Sequence, residues 1–386
     1  MSEQWPPYEQ KPYERILVWL LRFFCFFLPL LGVFAPRMVP LFLVLVSLPL
    51  LARLQLRPLL SFWPGVVLAG GVFLMAWLRA VEPQDVWPYP LMLLGMFILF
   101  FSWQQAIPRL PAAAFDKLGL YLLAGVGLGA LLVAEEYYFA MPIGTFFAAL
   151  VENRLRPLYV YDRGINILAL LIWPLAVLLG LRFWQMLVLA LAALYLTSLT
   201  SSQSSTLGIL LGLVVFIAAS LRPALMRWSL VAATLVTVLL APLLPAMVIE
   251  WWSATHDSNI WNSANGSQRL QIWQNVARAA LAQPWLGHGL DAARHLPAIM
   301  EHVHPHNGVL QIWLEFGLVG VAAWLAGLVW LLRRLPQSPT FFALYASWMG
   351  VFVVSYNIWQ PWWLAMPFLL ASLQLLALRA QAARAV

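Results

Sequence analysis

Apolar stretches close to twenty residues long recur along nearly the whole chain, separated mostly by connections too short to hold a domain. A helix needs about 20 predominantly apolar residues to cross roughly 30 Å of hydrocarbon, because each backbone amide must be satisfied within the segment where no water reaches. Twelve such stretches can be drawn, at about 16–34, 38–52, 59–78, 87–103, 118–134, 164–181, 183–200, 205–220, 228–249, 306–332, 340–355 and 362–378. Composition agrees. The chain is 63% hydrophobic and 10% charged, against roughly a quarter charged in soluble domains. A soluble globule is excluded. The expectation is an all-α polytopic membrane protein of about twelve transmembrane helices, forming a single integral membrane domain over residues 1–386, with no internal repeat. The first run has no small-x-small cleavage site and is followed at once by a second, so it is expected to be a retained helix rather than a signal peptide.

Basic residues orient this plan, because cytoplasmic connections of membrane proteins collect Lys and Arg. With the N-terminus cytoplasmic, 13 of the 22 basic residues fall on one side, from Lys11 and Arg15 through Arg333, Arg334, Arg379 and Arg384. On the other side, six of the remaining basic residues sit in two long loops, at about 135–163 and 250–305. Both termini are therefore expected to be cytoplasmic. The formal charge of +7 comes from single basic residues scattered between apolar runs, so no basic face exists to hold nucleic acid. The one cysteine, Cys25, permits neither an intrachain disulfide nor a cysteine-based zinc site.

All six histidines lie between His256 and His306, in the second long outer loop or at its junction with the tenth helix. That loop is expected to be partly helical. Ser267 can cap a helix from about Gln268 to Gln283, ended by Pro284 and Gly287, with Leu270, Trp273, Val276, Ala277, Ala280 and Leu281 as its apolar stripe. Arg269 stands on the border of that stripe and in the first turn, where exposed amides already carry partial positive charge. Two positive features at one place suit a bound anion such as a phosphate. An arginine that snorkels to headgroups or pairs with a loop carboxylate is the alternative. Further on, Asn307, Gln311 and Glu315 recur at i, i+4 and i+8 as a polar stripe on an apolar span, where a carboxylate costs roughly 2.5–3.5 kcal/mol at mid-bilayer. His306 opens that span. A neutral imidazole there is suited to accept a proton from a hydroxyl near neutral pH. A metal held by His302, His304 and His306, or a plain interfacial histidine, are the competing readings.

Arg269-Leu-Gln-Ile-Trp273, then Pro284-Trp-Leu-Gly287-His-Gly289, then His306-Asn307 with Leu310-Gln311 and Glu315, and finally Gly317-Leu-Val-Gly320, resemble in order and spacing the signature of the O-antigen ligase and polymerase superfamily. The likeness covers about 60 residues of the outer loop and the helix after it. It implies a glycosyltransferase of the bacterial inner membrane. Such an enzyme acts on the periplasmic face, uses a polyprenyl-diphosphate-linked glycan as donor, and needs no cofactor and no metal. By that resemblance His306 is the candidate catalytic residue and Arg269 the candidate diphosphate contact. Arg163, before Gly164 at the end of the first outer loop, resembles another basic family position, and Arg154 and Arg156 stand close enough in sequence to assist. Where relatives commonly place a Ser-Arg pair between the seventh and eighth helices, this chain reads Ser202-Gln203, and Gln203 can donate only uncharged hydrogen bonds.

The expected function is transfer of O-antigen from undecaprenyl diphosphate to the lipid A-core, by a single displacement that inverts the anomeric centre. His306 would act as base, with Asn307, Gln311 and Glu315 supporting it. An O-antigen polymerase or a protein O-oligosaccharyltransferase would use the same donor with another acceptor. A secondary transporter is the rival of a different class, though no paired broken helices in two matching halves are seen.

Overall fold

The computed structural model describes residues 12–52, 54–55, 57, 63–110, 112–150, 161–200, 202–255, 266–297, 304–334 and 336–384. Arg154, Arg156, His256 and His302 lie outside the described residues. The helices are α1 (Pro12–Phe34), α2 (Val39–Leu51), α3 (Trp63–Leu78), α4 (Pro83–Val86), α5 (Pro88–Ala106), α6 (Leu118–Tyr138), α7 (Pro142–Leu150), α8 (Asp162–Leu179), α9 (Phe183–Thr200), α10 (Gln203–Leu221), α11 (Pro223–Leu240), α12 (Leu244–Thr255), α13 (Gly266–Ala282), α14 (Gly308–Arg334), α15 (Pro339–Phe352) and α16 (Pro361–Arg384).

Each of the twelve expected stretches is helical, and the chain is an all-α polytopic membrane protein. Among the described residues nine helical spans are long and apolar enough to cross a membrane. The other three stretches form the shorter α2, α3 and α15, of 13, 16 and 14 residues. The expected ninth span is divided, because Ala241–Leu243 form a turn between α11 and α12. Pro242 has no N–H to continue the helical ladder there, and Pro245 occupies the start of α12, where its missing donor costs nothing. Large apolar side chains are widely exposed, among them Leu131 at 69%, Val67 at 63% and Leu221 at 75%. Water would penalise such a surface and a bilayer does not.

The chain forms two compact units. The first comprises Met1–Leu54, Ile98–Ser202 and Phe368–Val386. At its centre α8 is buried from Gly164 to Leu178 and packs on α1, α6 and α9. Gly164 is required at the crossing with α1, since a β-carbon there would fall 2.4 Å from Val33 Cα. Cys25 is fully buried in this core. The second unit comprises Gln55–Phe97 and Gln203–Pro367. Its main pairings are α10 on α15, and α14 against α13, α11 and α3.

Candidate functional site

The site residues of the second unit are organised by a break in α14. Gly317 has φ 60° and ψ −161°, a conformation open to glycine. The break releases the carbonyls of Leu314 and Glu315 and the amides of Leu318 and Val319 from the helical ladder. All four are taken up by one segment, Pro284–Gly289. The amide of His288 donates to Leu314 O at 2.7 Å and that of Gly289 to Glu315 O at 3.0 Å. In return Leu318 N donates to Pro284 O at 2.7 Å and Val319 N to Trp285 O at 3.2 Å. The backbones meet so closely that a β-carbon at Gly287 would lie 2.6 Å from the carbonyl carbon of Glu315, and one at Gly317 would lie 2.6 Å from Gly287 N. The two glycine-bearing motifs of the sequence are thus halves of one splice. His288 extends it: its Nε2 is 2.8 Å from Ala279 O, fastening the end of α13 to the same place. On the other side Arg79 donates through Nε to Gly287 O at 3.0 Å and also reaches Gln283.

N-terminal to the break, α14 is buried from Gly308 to Gly317, and its polar stripe is fully occupied. Asn307 is the N-cap, its Oδ1 accepting from Leu310 N at 3.0 Å. Gln311 and Glu315 are wholly inaccessible. Gln311 Nε2 donates to Glu315 Oε1 at 2.7 Å and to Asn357 Oδ1 at 3.0 Å, while its Oε1 accepts from Ile358 N at 3.1 Å. Glu315 Oε2 accepts from Trp359 Nε1 at 2.7 Å, and the backbone N–H of Asp291 reaches the same carboxylate. These bonds offset the cost of burying it. They also fix the connection between α15 and α16, which no local spacing in the sequence announces. Asp291 itself accepts from Arg294 Nε at 2.8 Å and from Tyr89 OH at 3.3 Å. Burial pushes its carboxyl above the usual range, against the opposing pull of Arg294 and Tyr89.

That connection brings the two principal sequence candidates to one corner. Arg269, half-buried in the first turn of α13, donates to Val354 O at 3.4 Å. Two residues earlier, the ring of Phe352 covers the start of α14, where a β-carbon at Gly308 would fall 2.5 Å from Phe352 Cζ. Three residues later, Asn357 holds Gln311. A span of three residues is at most about 11 Å, so Arg269 and the first turn of α14 flank the same short segment, 352–357. His306 stands immediately outside that first turn. Its φ is 54°, a left-handed conformation uncommon for a residue with a β-carbon and often found at functional positions. Its ring centroid is 4.0 Å from that of His304, whose Nδ1 accepts from the His306 amide at 3.3 Å.

Of the other candidates, Gln203 is the exposed first residue of α10, the helix that pairs with α15. Arg163 belongs to the first unit, half-buried in the first turn of α8. Arg156 is outside the described residues. The helix bearing Arg269 starts at Gly266, so Ser267 lies within its first turn rather than ahead of it. Among the described residues no group of three or more His, Cys, Asp or Glu is placed to hold a metal ion. Sequence reasoning missed Asn357, Trp359 and Arg79. Their polar atoms meet partners more than 40 residues away in the chain. The one available signal was an asparagine beside Trp359 in an otherwise apolar C-terminal region.

The model of a family described as O-Antigen ligase matches residues 185–325, a stretch that contains Gln203, Arg269, His306 and the splice. A protein of Rickettsia bellii (strain RML369-C) named "Putative polysaccharide ligase" is 26% identical over 78% of this chain and 76% of its own length. Like-named proteins of Rickettsia conorii (strain ATCC VR-613 / Malish 7) and Rickettsia prowazekii (strain Madrid E) are each 30% identical over 54% of this chain. The aligned stretch spans little more than half of each of those two relatives, 55% and 56%. No solved structure matches. These matches support an O-antigen ligase family assignment and, with it, a membrane enzyme of glycosyltransferase kind that handles polysaccharide.

Proposed function

We propose that this member of the O-antigen ligase family transfers O-antigen from undecaprenyl diphosphate to a sugar hydroxyl of the lipid A-core, at the periplasmic face of the inner membrane. The observation that carries the proposal is that Arg269 and the His306-Asn307 entry to α14 flank one segment, 352–357. A base and a cation at one corner are what displacement of a diphosphate from an anomeric carbon requires.

In this reaction the acceptor oxygen attacks the anomeric carbon as the bond from that carbon to the diphosphate oxygen breaks. The hydroxyl proton passes to the His306 imidazole, and the electron pair leaves with the lipid diphosphate. Arg269 stabilises the departing charge through its planar pair of donors. Gln203 contributes hydrogen bonds without charge. Asn307, Gln311 and Glu315 touch no reacting atom in this scheme; they hold the first turns of α14 and the neighbouring connection in place. Arg163 is linked to the donor by sequence resemblance.

The test is to incubate the purified protein with lipid-linked O-antigen and, separately, with lipid A-core, an unextended lipid-linked repeat and a pilin. Glycan is expected on the lipid A-core. Appearance on the repeat or on the pilin would replace the proposed acceptor while keeping the donor chemistry, and solute uptake into liposomes without glycan transfer would overturn both. Because residue 306 has a positive φ that asparagine tolerates, His306→Asn removes the base while keeping the backbone. Transfer is expected to fall ~10²- to 10⁴-fold at unchanged protein level in the membrane, and an undiminished rate would remove the imidazole from the mechanism.

A further inference from the structure

We infer that the segment Pro284–Gly289 is a re-entrant loop embedded in the bilayer, with Trp285 and Leu286 against the acyl chains of the leaflet opposite Arg333 and Arg334. The inference does not depend on the catalytic reading. It starts from depth along α14. Arg333 and Arg334 end that helix. They lie over the rings of Trp228 and Trp330, at 5.9 and 5.8 Å, and both of those rings are more than half exposed. Exposed tryptophans paired with arginines mark a membrane interface. Val319 stands fourteen residues from Arg333, about 21 Å at 1.5 Å per residue, whereas the hydrocarbon layer is roughly 30 Å thick. Trp285 is hydrogen-bonded to Val319 through its carbonyl and therefore shares that depth.

A second measure gives the same level. α3 rises for 16 residues, from Trp63 to Leu78, about 24 Å. The far end of the segment meets its top, where Leu290 N donates to Ala76 O at 3.1 Å and a β-carbon at Gly289 would fall 2.5 Å from the Arg79 carbonyl. Trp285 is thus about one helical turn deeper than Arg79, which marks the far interface.

Irregular backbone at such a depth is tolerated only when its polar groups are satisfied by protein. The splice satisfies them: the carbonyls of Pro284 and Trp285 and the amides of His288 and Gly289 bond to α14, and the Gly287 carbonyl to Arg79. What faces outward is apolar. Trp285 is 68% exposed and Leu286, Leu281 and Val319 between 40 and 46%, a surface continuous with the exposed apolar side chains of α14. Lipid is the occupant that fits this depth and continuity.

The test places a spin label at Trp285→Cys and, as an independent variant, at Leu286→Cys in the full chain reconstituted in bilayers. The native thiol of Cys25 is buried, and the unmodified protein serves as the blank. Accessibility to lipid-soluble oxygen is compared with accessibility to an aqueous nickel complex. Val214→Cys, in the middle of α10 and 64% exposed, is the lipid-facing reference, and Gln271→Cys, on the exposed face of α13, is the aqueous one. Labels at 285 and 286 are expected to match position 214, with an oxygen-to-nickel ratio several-fold above that at 271. A ratio equal to that at 271 would put the segment in water. Protection from both reagents would put a protein surface there. Either result overturns the inference.

Discussion

Each unit of this protein encloses one fully buried glutamate, and the two are used differently. Glu136, near the end of α6, accepts from Ile143 N at 2.6 Å, from Gly144 N at 3.1 Å and from Tyr161 OH at 2.6 Å. A carboxylate set on the first amides of α7 is a favourable use of a helix N-terminus. All its partners lie within 25 residues of it in sequence, and the amides it serves are only half-buried. Glu315 instead joins three stretches of the chain: its own helix through Gln311, the α15–α16 connection through Trp359, and the segment before α14 through Asp291. The first glutamate secures a corner. The second holds the frame in which Arg269 and His306 come together.

Substitutions should separate these roles. The largest effect is expected from Glu315→Ala, which strands the buried donors of Gln311 and Trp359 at about 1–3 kcal/mol each; the apparent Tm in detergent should drop sharply and transfer should fail. An unchanged Tm would mean that the network does not hold the connection. Next is Gly287→Ala, where a β-carbon meets the backbone of residue 315 and φ is +67°. The left-handed conformation alone costs about 1–2 kcal/mol, and both Tm and transfer should fall. Tyr161→Phe should be the mildest, about 1 kcal/mol, because the amides of α7 still hold Glu136. A loss as large as that of Glu315→Ala would erase the distinction between the two carboxylates.

Much of this was legible in the sequence, for reasons that differ by feature. The helices follow from apolar runs that a bilayer demands, and α13 falls within two residues of the expected range because the stripe from Leu270 to Leu281 and the stop at Pro284 are local signals. The motif glycines were visible as a pattern, but their purpose was not. Gly287, Gly289 and Gly317 are needed because two backbones touch, and that contact joins positions about 30 residues apart. Glu315 could be seen to need a partner inside an apolar span, yet nothing local named Trp359. Glu136 was assigned to a loop because α6 runs one turn beyond its last apolar run, to Tyr138.

The claim that Arg269 grips the donor's diphosphate while His306 takes the acceptor's proton is tested most directly by measuring binding of undecaprenyl diphosphate and glycan transfer on the same preparations of wild type, His306→Asn and Arg269→Ala. The account predicts that His306→Asn binds the lipid diphosphate as the wild type does but transfers ~10²- to 10⁴-fold more slowly, whereas Arg269→Ala loses both binding and transfer. Wild-type binding by Arg269→Ala, or wild-type transfer by His306→Asn, would contradict it.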